Sequence, residues 1–160
     1  MNVARSTFVR MLCLVWGGWF LVVTLTSIAD ALARIGALSG FPMVSGDFAV
    51  IERTTAVYGV PGAVDAVVYV AVIVVEALAA GAFLQAFLAT GGDRVVDERV
   101  LTAPFLLAAA LFGAFLVLDE FFVAPENGAI HWPVFIALVA SYAVVVAAHD
   151  VEAATSTDGA

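Results

Sequence analysis

An all-α membrane bundle of four transmembrane helices is the fold class this chain predicts, and three observations carry it. Of its 160 residues, 64% are hydrophobic, against about 45–50% in a soluble domain, and the mean hydropathy is +1.09. A water-soluble fold of this length has no core large enough to hide that much apolar surface. Four apolar stretches, residues 8–28, 63–89, 101–123 and 130–148, each supply the ~17–25 residues with which a helix crosses ~30 Å of hydrocarbon. Their apolar residues occupy every face, whereas a transmembrane strand alternates apolar and polar over ~10 residues. A helix also satisfies its own backbone hydrogen bonds, which lipid cannot do for it.

The first stretch follows Arg5 and Arg10 and precedes Ala31-Leu32-Ala33, a small-residue pattern that resembles a signal cleavage site. Its apolar run from Met11 to Ala29 exceeds the ~7–15 residues of a signal core, so a retained first helix is expected. Cys13 within it is the single cysteine, which rules out an intrachain disulfide and suits a small buried apolar residue. Trp16 and Trp19 are expected to pack in the bundle, and Trp132 to sit at an interface.

The connection over residues 29–62 is the longest, a candidate cap or partner surface on the outer side. Gly40, Pro42 and Gly46 interrupt helix there. AVIERTTAVYG, residues 49–59, predicts a short helix at the outer interface, and Gly59 and Pro61 punctuate the start of the second span. GGDRVVDER, residues 91–99, predicts a tight inner turn, with Thr102 capping the third span and Pro104 in its first turn. APENGA, residues 124–129, predicts a short outer turn that makes the third and fourth spans a hairpin, with Pro133 in the first turn of the fourth. Residues 1–149 thus form one transmembrane domain, and 150–160, DVEAATSTDGA, read as a disordered acidic tail. Two small-xxx-small pairs, Ala77/Gly81 and Ala109/Gly113, are expected to pack helices within the bundle.

Arg5, Arg10, Arg94 and Arg99 fall on one side of such a bundle, and Arg34 and Arg53 on the other. The bias favours cytoplasmic N- and C-termini in a multi-pass protein of the cell membrane. The chain has no lysine, and a net charge of −8. This acid-heavy composition resembles that of proteins from salt-loving archaea, where acidity serves solvation. A basic face for nucleic acid is absent. The partners expected are the lipid bilayer and either a second copy or another membrane protein. No cofactor is expected: the chain has too few Cys and His for structural zinc. His131 and His149 lie ~27 Å apart along one helix, too far to ligate one haem. No phosphate loop, metal motif or Ser-His-Asp set is present, so catalysis is not expected.

The second span, VVYVAVIVVEALAAGAFLQAFLA over residues 67–89, is apolar apart from Glu76 and Gln85. Asp65 and Glu76 are eleven residues apart, close to three turns, so Asp65, Tyr69, Val72 and Glu76 share a face. Gln85 lies two and a half turns beyond, on the opposite side. An ionised carboxylate in mid-membrane costs ~2.5–3.5 kcal/mol. Glu76 is therefore expected to face the bundle interior, to carry its proton, or both, with Thr24, Thr26 or Ser141 as hydrogen-bond candidates. Asp65, Tyr69 and Glu76 make a candidate intramembrane polar site. Asp30, Asp119, Glu120, His131 and Arg34 sit at span ends on the outer side and make a candidate acidic cluster. Arg34 is expected to pair with Asp30, Asp119 or Glu120.

The order of these features resembles a family of small four-helix bacterial and archaeal integral membrane proteins of unknown function. The resemblance covers residues 12–148 and rests on Phe41-Pro42-Met43, on Tyr69 with Glu76, and on LDEFFVAPENGAIHWPVF at the third-to-fourth hairpin. Where that family has a Trp-rich outer motif this chain has Trp132 alone. The resemblance implies the architecture and a joint importance of Tyr69 and Glu76. The function expected is that of a non-enzymatic packing or accessory subunit, or a homo-oligomer. The alternative is a small proton- or cation-translocating component that uses Glu76 and the outer acids.

Overall fold

The computed structural model describes residues 3–38, 40–91 and 97–157, and side chains within 7–148 of these. The described residues form α1 (Val3–Arg34), α2 (Asp47–Thr55), a 3-10 turn (Ala56–Tyr58), α3 (Gly62–Ala89), α4 (Glu98–Phe121) and α5 (Pro125–Thr157). The segments Thr7–Arg34, Gly62–Ala89, Glu98–Phe121 and Pro125–Ala148 are each long and apolar enough to span a bilayer. The expected all-α bundle of four membrane helices is what the chain forms.

The spans run antiparallel in sequence order. Arg10 of α1 stacks over the Phe87 ring of α3 at 4.6 Å, while Tyr69 at the other end of α3 bonds to Ser27. Midway, Gly17 lets α1 approach α3 closely, since a Cβ there would come within 3.1 Å of Leu84. Gly113 of α4 faces Phe135 of α5, so the Ala109/Gly113 pair lies in a helix contact, as expected. α1 packs most extensively on α3 and meets α5 over a short stretch, tied there by Trp16 Nε1, which donates to Ser141 Oγ at 3.1 Å.

The core is aromatic. Phe20, Phe83, Phe105 and Phe112 are buried. Phe83 stacks on Phe20 with centroids 5.8 Å apart and meets Phe105 edge-on at 4.8 Å. Trp16 and Trp19 pack against the same rings, Cys13 is fully buried, and Trp132 is exposed.

Several boundaries differ from the sequence-based expectation. α4 begins at Glu98, capped by Asp97, whose Oδ1 accepts from Arg99 N at 2.8 Å; Thr102 is therefore inside the helix rather than its cap. The expected turn at 124–129 shrinks to Phe122–Ala124, because Pro125 takes the first position of α5, where its fixed φ suits a helix start. Pro133 is consequently in the helix interior, and the Ala129 carbonyl loses the amide it would otherwise accept from. Val123 turns the corner with φ 55°, a strained value for a β-branched residue. α5 continues to Thr157, past residue 150 where a disordered tail was expected; Ala and Glu sustain helix here, and no Gly or Pro intervenes. The third deviation concerns packing: Ala77 and Gly81 are exposed, so this pair faces outward and does not pack helices within the bundle.

The connection between α1 and α3 folds into a strap. Gly46, at φ 77°, supplies the left-handed turn that starts α2. α2 and its 3-10 turn then touch every span. Arg34 of α1 pairs with Glu52 and lies 4.3 Å above the Phe48 ring. Thr55 donates to Asp65 of α3 at 2.8 Å. Tyr58 donates to the Phe121 carbonyl of α4 at 2.9 Å. Asn127 of α5 donates to Thr54 at 3.2 Å.

Candidate functional site

Beneath the strap, a polar lane runs down the seam between α1 and α3. The helical period sets it up on both sides. On α3, Asp65, Tyr69 and Glu76 are all buried, at 3%, 2% and 5% exposure, as their shared face requires, while Gln85 is exposed. On α1, Thr24, Ser27 and Asp30 follow one another at three-residue spacing, and Thr24 and Ser27 are buried.

The upper part of the lane is fully bonded. Asp30 Oδ2 accepts from Tyr69 Oη at 3.0 Å and from Phe48 N at 3.0 Å. Tyr69 Oη also lies 3.1 Å from the Ser27 carbonyl and 3.2 Å from Ser45 Oγ. Its single proton serves one acceptor at a time, so Ser45 donates to Tyr69 when Tyr69 donates onward. The Phe48 ring covers Tyr69 edge-on at 5.4 Å. Asp65 is held apart from this set by Thr55.

The lower part is not bonded. Glu76 lies about midway along α3, with the Ser27 side chain as its hydroxyl neighbour across the seam. Yet Glu76 Oε2 and Ser27 Oγ are buried without a hydrogen-bond partner. An orphaned buried polar atom costs about 1–3 kcal/mol, and native folds tolerate few. The candidates expected from sequence do not relieve it. Thr24 donates to its own Phe20 carbonyl, Thr26 to Val23, and Ser141 is bonded by Trp16. Two turns further along α3 the lane ends on Phe83 and the stacked aromatic core. Glu76 is thus approached through hydroxyls from the strap side and closed by rings on the other.

The outer cluster divides into two. Asp30 belongs to the lane, and Arg34 pairs with Glu52 instead of Asp30, Asp119 or Glu120. Asp119, buried on α4, is 2.6 Å from Nδ1 of His131 on α5. The His131 ring stacks on Phe115 at 4.9 Å. Glu120, next along the chain, is exposed. Among the described residues no hydrogen bond or ion pair joins the two groups, so a single vestibule holding all five residues does not form. His149 lies outside the residues with described side chains, and no group of three or more Cys, His, Asp or Glu that could hold a metal occurs among the described residues.

Comparison of the chain with protein-family models, curated proteins and solved structures finds no match.

Proposed function

We propose that this multi-pass protein takes up a proton or small cation at Glu76 from the strap side, as a non-enzymatic component of a translocating membrane assembly. One observation carries the reading: a carboxylate oxygen is kept buried without a partner in a bundle whose neighbouring hydroxyls are otherwise committed. A purely structural glutamate would be expected to find a hydrogen bond, since an unsatisfied acceptor only destabilises. The likeness to the small four-helix family adds the joint importance of Tyr69 and Glu76 to this reading.

The test is flux in reconstituted vesicles. Glu76→Gln keeps shape and hydrogen-bonding groups but removes the exchangeable proton and the charge. Proton or cation flux by the wild-type protein should fall to the background of empty vesicles in this variant. Equal flux in the two proteins would end the proposal.

A second reading, a packing or accessory subunit or a homo-oligomer, is favoured by the outward-facing Ala77 and Gly81, whose small side chains admit close approach of another helix. Vesicles without any flux, together with a stable companion copurified from native membranes, would favour it over the first. In either case the arginine distribution supports cytoplasmic termini with the strap outside. A cysteine in place of the exposed Arg53 should then react with an impermeant reagent added to intact cells, and protection of it would reverse the topology.

A further inference from the structure

Resting on the reading of Glu76 as an uptake site, we infer that the species taken up is the proton, and that it reaches Glu76 through the hydroxyls of Tyr69 and Ser27 from the carboxyl of Asp30. The two species ask different things of a site. A hard divalent cation held by protein takes about six to eight oxygens. The unpartnered atoms beside Glu76 amount to one carboxylate oxygen and one hydroxyl, and the Tyr69 hydroxyl and Asp30 are already engaged with each other. A proton needs only a chain of groups that each accept and donate, which hydroxyls do.

The geometry orders that chain. Asp30 is half-buried below the strap and in contact with Tyr69 at 3.0 Å. Tyr69 Oη already reaches the Ser27 carbonyl at 3.1 Å, so Ser27 is beside it. The Ser27 hydroxyl, fully buried and without a partner, is one torsion away from serving either neighbour. In a transfer, Asp30 gives its proton to Tyr69 Oη as Tyr69 gives its own to Ser27 Oγ, and Ser27 gives its own to Glu76 Oε2. Each hydroxyl ends neutral, Asp30 ends as carboxylate and is reprotonated from the outer solution, and Glu76 ends as the acid. The charged groups that face the lane are Asp30 of α1 and Asp47 of α2. Among the described residues α4 and α5 contribute no hydrogen bond to it.

The experiment is a pH jump on the full-length protein in lipid, following the infrared carboxyl band that Glu76→Gln removes. In Tyr69→Phe and Ser27→Ala the final amplitude of that band should match wild type while its rate falls about a hundredfold, the scale of a positioned proton-transfer group. Ser27→Thr, which restores a hydroxyl, should recover most of the rate, and this separates relay from fold. Unchanged rates in Tyr69→Phe and Ser27→Ala, or a loss in Ser27→Thr equal to that in Ser27→Ala, would overturn the relay. Flux that needs Glu76 but ignores Tyr69 and Ser27 sinks the relay and leaves the uptake function standing. A relayed pH jump in a protein that conducts nothing sinks translocation and leaves the relay.

Discussion

His131→Ala is expected to destabilise the protein by about 3 kcal/mol, the upper end for a buried polar group stripped of its partner. Asp119 is 6% exposed, and His131 Nδ1, at 2.6 Å, is its side-chain hydrogen-bond partner among the described residues. The variant leaves that carboxyl facing the α4–α5 seam and also removes the ring stacked on Phe115. Reversible unfolding in mixed detergent micelles measures the loss. Asp119→Asn should cost less, about 1 kcal/mol, because its amide oxygen can still accept from the imidazole. The double replacement by alanine should cost less than the two single ones added together, as expected for groups in contact. A change within about 0.5 kcal/mol for His131→Ala, typical of surface sites, would show that the pair does not hold the hairpin.

Phe83→Ala is expected to cost about 2 kcal/mol, and the reasoning differs from that for a water-soluble core. In water, truncation loses both transfer free energy and packing. In lipid the unpacked helix is already in an apolar medium, so the transfer part is largely absent and packing remains. Removing about 100 Å³ at about 24 cal/mol per Å³ gives the estimate. Phe83 contacts Phe20, Trp16 and Phe105 at once, which limits collapse of the void. Leu88 on the same helix is 71% exposed, and Leu88→Ala should change stability little in the same micelles. Equal losses at the two positions would show that Phe83 is not the better-packed side chain and that the aromatic core does not close the lane.

The spans and the inward face of α3 were legible in the sequence, because length and helical period alone determine them. The stripe Asp65, Tyr69, Glu76 needed only the period and the cost of a charge in lipid. Its partners were not legible, since the register of α1 against α3 is a property of their packing. A signal for Ser27 exists all the same: it lies in line with Phe20 and Cys13 at seven-residue intervals and three before Asp30. The outward turn of Ala77 and Gly81 was also within reach. Gly81 is five residues past Glu76, about 140° around the helix, so a face that buries one exposes the other. Small-residue spacing marks where a helix can be approached, not from which side. Arg34 found Glu52 rather than a nearer acid because α2 folds back over α1, a path that its flanking glycines permit but do not encode. Pro133 was misplaced for a local reason: Pro125 begins α5 earlier than the apolar run does, since lipid-compatible composition and helix need not start together.

Because the segment from α2 to Tyr58 is moored to all four spans at one end of the molecule, those ends behave as a hooped barrel-head. The spans cannot spread there without releasing several bonds together. Any breathing of the bundle is therefore levered toward the opposite rim, where Thr90 and the turn into α4 lie, and it is from that rim that the ring plug beside Phe83 would have to be loosened.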